Sequence, residues 1–332
     1  MFSKPIDILA IGDIATDAFI RLKEAEVHCK IDTTACEISM PFGDKIPFEY
    51  AKVVKGVGNA ANAAVAGARL RLRSALVTNI GNDQNGHECM AELQGNKVVT
   101  SYIKKHHGKA TNYHFVLWYG AERTILVNHI DYDYSLPKLP EARWLYLTSL
   151  ASHTESYHEE VADYLKAHPD TRLAFQPGTF QMKLGFDTLK RLYDRTDVFV
   201  VNVEEAERML GVKSKGDVKN LLKGLAEHGP KLVLVTDGPK GAYMYDHDHY
   251  YFMPIYPDPK PPLERTGCGD AFAATFVSAL AMGRSPLEAL TWAPVNPMSV
   301  AQFVGAQEGL LTLEQLEWWL KRAPGDYKVK EI

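Results

Sequence analysis

Cysteine is scarce: Cys29, Cys36, Cys89 and Cys268 are the only four in a chain of 332 residues. That is too few for a disulfide scaffold, and their spacing matches no zinc pattern, so a reducing, cytoplasmic compartment is expected. No apolar run is long enough to span a membrane. The short apolar stretch in MFSKPIDILAIGD runs at once into an acidic residue, unlike a secretory leader. Positive charge is not in excess either. The 37 Lys and Arg stand against 41 Asp and Glu, a formal net charge of -4, which argues against nucleic-acid and membrane partners. Neither Gly-x4-Gly-Lys-Ser/Thr nor Gly-x-Gly-x-x-Gly follows the first apolar segment. A P-loop nucleotidase and a typical dinucleotide oxidoreductase are therefore disfavoured.

What is present is the composition of an ordinary globular protein, 46% hydrophobic and 23% charged, with enough apolar residues for a large core. Ile6 to Ile11 forms a buried first strand that ends at Gly12-Asp13. Residues 17–55 are β-rich pieces between polar and Gly/Pro stretches, and are expected to form a small β appendage. Thr111 to Tyr119 and Thr124 to Asn128 form a strand pair around a turn at residues 120–123, and segment 111–128 is a candidate to join that appendage. Beyond it, strands and helices alternate to the end of the chain. The expectation is an α/β core from residues 1–16 and 56–332, with a mostly parallel central sheet between helical layers. Ligands then bind outside the carboxyl ends of the strands.

The strongest chemical signal is Thr266-Gly267-Cys268-Gly269-Asp270-Ala271-Phe272. Two glycines flank a small residue and an Ala-rich helix follows. Glycine permits a tight turn with converging amides, and the positive end of the helix adds to them, giving an anion site. Asp270 is then either an acidic first-turn residue or a general base beside an anion cradle. Cys268 is either a thiol activated by the helix start or a small space-filler.

The segment resembles the C-terminal signature of the ribokinase-like (PfkB) kinases, Asp-Thr-Thr-Gly-Ala-Gly-Asp. The resemblance implies a three-layer α/β sandwich with a small β-sheet lid. It implies ATP-dependent phosphorylation of a hydroxyl on a sugar or sugar-like substrate, with Asp270 as base and the Gly267, Cys268 and Gly269 amides as anion hole. Two positions depart from the pattern: Glu264 replaces the first Asp and Arg265 a Thr. Because that Asp helps bind a monovalent cation in relatives, a cation here is doubtful.

Other segments follow the family order. Gly56-Val57-Gly58-Asn59-Ala60-Ala61-Asn62 is similar to the N-terminal signature, which assigns Gly58, Asn59 and Asn62 to substrate. Gly12-Asp13-Ile14-Ala15-Thr16-Asp17 assigns Asp13 and Asp17 to the same role, since carboxylates accept well from a polyol. Asn202-Val203-Glu204-Glu205 resembles the Asn-x-x-Glu motif, implying Asn202 near the phosphates and Glu205 as an outer Mg2+ ligand; an N-capped helix start reads the same way. Thr236, Gly238 and Gly241 match a nucleotide loop, and Gly305 lies in the closing Gly-Ala-x-x-Gly. A homodimer through the lid is a further implication. A nucleoside kinase of the same family is an alternative, with His107, Tyr113, Phe115 and Trp118 either stacking a base or simply packing a strand. A non-catalytic sugar or nucleotide sensor is another.

Overall fold

The protein is described here as a computed structural model covering residues 5–29, 36–120 and 122–332. Its centre is a ten-stranded sheet in the spatial order 330–331, 249–253, 242–246, 232–236, 196–202, 172–175, 142–147, 6–11, 74–81, 99–106. The seven strands from 99–106 to 232–236 are parallel, and the other three pair antiparallel at one edge. Strand Ile6–Ile11 is apolar almost throughout because both faces are covered. Ile8 and Ala10 enter the cluster beneath helices Asn59–Arg69 and Cys268–Ala281, while Leu9 and Ile11 enter the cluster beneath Glu155–Ala167 and Val218–Ala226.

From strand 6–11 the chain goes first to 74–81 on one side and later to 142–147 on the other. The carboxyl ends of 6–11 and 142–147 therefore flank a switch point, where a crevice opens. Asp13 and Ser149 meet there, the Asp13 amide donating to the Ser149 carbonyl at 2.9 Å.

A second, four-stranded sheet has the order 48–57, 15–22, 113–119, 122–126. Its inner side packs Phe19, Val116 and Trp118 against Val304. Lys52 reaches from it to the Val304 carbonyl at 3.3 Å and to the Glu308 carboxylate. The expected turn at 120–123 is tighter than the sequence suggests: Glu122 and Arg123 already pair with Tyr119 and Trp118. Strands 36–39 and 99–106 add to the elements the sequence marks, and two short helices, Thr179–Thr188 and Lys190–Tyr193, follow strand 172–175.

The cysteines also need correcting. Strands Glu26–Cys29 and Cys36–Ser39 pair antiparallel with Cys29 opposite Cys36, and the two are joined as a disulfide. A spacing of seven residues brings them together only once the hairpin register is known, so spacing alone concealed the pair.

The core sheet should carry most of the stability. Leu234, fully buried in the fifth parallel strand from the switch point's far side, should cost about 2–5 kcal/mol when replaced by Ala. Urea unfolding checks this; a loss well under 1 kcal/mol would contradict the packing described.

Candidate active site

Helix Cys268–Ala281 begins at Gly267, whose φ of 80° lies in the left-handed region. A Cβ there would sit 2.3 Å from the Ala306 Cβ, so the 304–309 loop can press against the turn only over glycine. The Gly269 and Asp270 amides lie in the first helical turn, where no carbonyl of the same helix is available. The Cys268 amide, by contrast, donates to the Arg265 carbonyl at 3.3 Å. The Cys268 thiol is pushed up to about 12, first by burial and then by Glu264. It lies 3.7 Å from the Pro297 carbonyl, so it fills space and is not an activated nucleophile.

Asp270 is the convergence point of three side-chain amides. Asn59 Nδ2 donates to Oδ1 at 3.0 Å, Asn62 Nδ2 to Oδ2 at 2.7 Å, and Gln176 Nε2 to Oδ1 at 3.1 Å. Burial raises the carboxyl pKa, while these amides and the Arg123 charge pull it back. Asn59 and Asn62, expected to meet substrate, are thus directed to the carboxylate. Gln176, which no motif marked, ends strand Arg172–Phe175 and is itself fixed by the Tyr146 hydroxyl. Gln307 Nε2 ties Asn62 Oδ1 at 3.0 Å to the Gly56 carbonyl at 2.7 Å.

Gly58 starts helix Asn59–Arg69 at a φ of 113°, and a Cβ on it would meet the Asp13 carbonyl at 2.6 Å. The close approach brings the Asp13 loop beside the Asp270 amides. Asp13 accepts from the Tyr134 hydroxyl at 2.8 Å and the Ala151 amide at 2.7 Å. Asp17, on strand 15–22, faces His114 at 3.2 Å. The residues singled out as possible base-stackers lie elsewhere. Trp118 is buried inside the small sheet, Phe115 is on its outward face, and His107 contacts Asn82.

On the other side of Cys268 and Gly269 lies a cavity of about 760 Å³ lined also by Asn202, Thr236, Gly238 and Gly241, with Arg123 and Arg265 at its walls. Gly305 is outside that lining; its amide donates to Glu264 at 2.8 Å. Glu264 is buried and also accepts from the Thr266 amide at 2.7 Å. Glu205 is occupied as a capping-box residue, accepting from the Asn202 amide at 2.9 Å while the Asn202 side chain accepts from the Glu205 amide. Its neighbour Glu204 lines the cavity instead. Among the described residues no group of three or more His, Cys, Asp or Glu is arranged to hold a metal, and no helix is long and apolar enough to cross a membrane.

This architecture is that of the ribokinase-like kinases. An Arabidopsis thaliana ribokinase structure complexed with ribose and ATP superposes with a TM-score of 0.79, at 20% identity, over 96% of this chain and 99% of that one. A Cryptococcus neoformans ribokinase in complex with ADP gives 0.73 at 22% identity, over 94% and 98%. Residues 29–312 match the pfkB family carbohydrate kinases, and the chain belongs to that family of ATP-dependent enzymes. In sequence it is 28% identical to a Bacillus subtilis ribokinase over 78% of this chain and 86% of the relative. It is 25% identical to a Geobacillus thermodenitrificans 5-dehydro-2-deoxygluconokinase over 96% and 94%, and 25% identical to a Methanothermobacter thermautotrophicus nucleoside kinase over 93% of each.

Burial pushes the Asp13 carboxyl up from 3.8 to about 6, against the hydrogen bonds from Tyr134 and Ala151. Below the lower value Asp13 is protonated whether the chain is folded or not. As pH rises through the window, the unfolded chain ionises first and folded stability falls. Asp13→Asn removes this dependence. The stability difference between the variant and the parent should move in the variant's favour by up to roughly 3 kcal/mol across that window. Unfolding curves at several pH values would show it, and a constant difference would refute the burial of the charge.

Proposed function

We propose that the protein transfers the terminal phosphoryl group of ATP to a hydroxyl of a small sugar or sugar-like acceptor, with Asp270 accepting the hydroxyl proton. One observation carries this reading. A desolvated carboxylate stands at the positive end of a helix whose first residues line a nucleotide-sized cavity, held by Asn59 and Asn62 of the helix whose start abuts the Asp13 loop.

The residues present fit a bound nucleotide: the cavity has the volume, a first-turn amide cradle and the Arg123 and Arg265 cations. ATP with Mg2+ would supply the transferable group and screen its charge. Asn202, Thr236, Gly238 and Gly241 would hold the nucleotide. Gly267, Gly269 and the Asp270 backbone would receive the charge developing on the phosphoryl oxygens. Mg2+ needs few protein ligands. Glu204, on the cavity wall, is better placed to act through water than Glu205, whose carboxylate caps its helix. Asn59, Asn62 and Gln176 fix the direction of the base, so that little reorganisation is needed as the acceptor approaches.

The reading places the enzyme where ATP is supplied, in the cytoplasm. The outward side of the small sheet offers a surface for the expected homodimer. Val53, Ala18, Phe115 and Leu126 form one cross-strand row there, and three of them are about half exposed.

Asp270→Asn should lower turnover by about 10² or more, the scale of a positioned base, with folding and ADP affinity preserved. Because burial raises the Asp270 pKa, the acid limb of the parent's rate profile should lie above the ordinary carboxylate range. An ATP-consumption assay over sugars, cyclitols and nucleosides measures both. Near-normal turnover in the variant removes Asp270 from its role.

A further inference from the structure

We infer that His114 and His129 are the residues that select the acceptor, and that they select an uncharged polyhydroxylated ring over an acidic one. This rests on the kinase reading of the site and deepens it.

The register of the small sheet sets His114 directly opposite Asp17. Its Nδ1 lies 3.2 Å from Asp17 Oδ1, with the two side chains only 16% and 14% exposed. His129 follows the hairpin, its Nδ1 3.7 Å from Asp13 Oδ2. The two imidazole centroids are 5.3 Å apart at 39°, and Phe180 meets His129 edge-on at 6.3 Å. Two carboxylates and three rings thus make one continuous wall.

The wall is incomplete. Asp17 Oδ1, His114 Nε2 and His129 Nδ1 are all buried without a hydrogen-bond partner. Buried polar atoms are nearly always satisfied, so three orphans side by side mark a surface that a ligand completes. Other orphans lie on other elements, such as Ser74 Oγ on strand Ser74–Gly81 and Tyr193 OH on helix Lys190–Tyr193.

The chemistry of the gap follows from its atoms. Burial and the neighbouring His114 lower the His129 pKa, favouring the neutral ring. His114 sets Nδ1 nearest Asp17, which leaves its Nε2 buried and unpartnered. The wall then sets carboxylate acceptors beside imidazole nitrogens, and its complement is a set of hydroxyls, which both donate and accept. Ring C–H faces of a sugar or cyclitol would lie against the imidazoles and Phe180. Among the described residues neither Asp13 nor Asp17 is paired with Lys or Arg; their ionic neighbours are the two histidines. A carboxylate or phosphate set against this wall would face two carboxylates, neither of them paired with the Arg123 charge that acts on Asp270. The 3.7 Å contact of His129 with Asp13 is longer than a hydrogen bond.

The test is calorimetric titration, without nucleotide, of neutral sugars, cyclitols and nucleosides alongside the matching sugar acids, followed by ADP formation with each. The variants are His114→Ala, His129→Ala, and His114→Phe, which keeps a ring but not the nitrogens. Expected is binding of a neutral polyol at least about 10-fold tighter than its acid, weakened about 10-fold or more in each variant, with ADP affinity unchanged. Preference for the acid, variants that bind like the parent, or a parent that binds no neutral polyol would each overturn the inference. The two readings fail separately. Turnover with His-independent acceptor affinity sinks the selection by histidine and leaves the kinase. His-dependent binding with no ADP formed sinks the kinase and leaves the selection.

Discussion

Taking a carboxylate out of water is costly unless donors replace the lost hydration, and the site is organised around meeting that cost at Asp270. Three side-chain amides converge on its two oxygens, and the helix it opens presents its positive end to the same point. Desolvation and hydrogen bonding pull its pKa in opposite directions, with burial the larger effect. The outcome is a carboxylate readier to take a proton than one in water, yet still held in its charged form by donors. The three amides come from two different elements, helix Asn59–Arg69 and the end of strand Arg172–Phe175. Asp270 therefore acts as a keystone for their mutual placement as well as a chemical group.

That placement explains why glycines sit where they do. Helix Asn59–Arg69 can bring Asn59 and Asn62 to Asp270 only if its first turn lies against the Asp13 loop, and a side chain at Gly58 would collide with the Asp13 carbonyl. Helix Cys268–Ala281 can approach the 304–309 loop only over Gly267. The same loop sends Gln307 back to Asn62, so the loop and Asp270 are linked by hydrogen bonds through one buried amide.

Much of this was legible in the sequence because glycines and acidic helix starts have short-range causes. The turn at 266–270, the Ala-rich helix and the order of the motifs could be read directly, as could the alternation that builds the parallel sheet. What could not be read was direction. Asn59 and Asn62 match substrate positions of the family, and the helix directs both side chains to the Asp270 carboxylate. Tyr113, Phe115 and Trp118 drew attention for their size, while period-two alternation put His114 on the side that matters; that alternation was the available signal. His129 and Tyr134 come from a stretch without regular structure, and Gln176 from an unremarkable strand end, so only the fold assembles them. Glu205 satisfied a motif, yet the bland reading of an N-capped helix describes its contacts better. Cys29 and Cys36 needed a hairpin register that composition does not supply.

On the proposed reading, the acceptor wall is divided between the two sheets. Asp13 belongs to the loop after strand 6–11 of the large sheet, whereas Asp17 and His114 belong to the small one. Hydroxyls that bridge them are bound fully only when the two sheets are in register, as they are here, with Phe19, Val116 and Trp118 packed on Val304. On that reading, binding free energy from the acceptor would hold the small sheet down over the reacting groups, and its loss would release the sheet. Water exclusion and acceptor recognition are in this way one physical event, which suits an enzyme whose competing reaction is transfer of the same phosphoryl group to water.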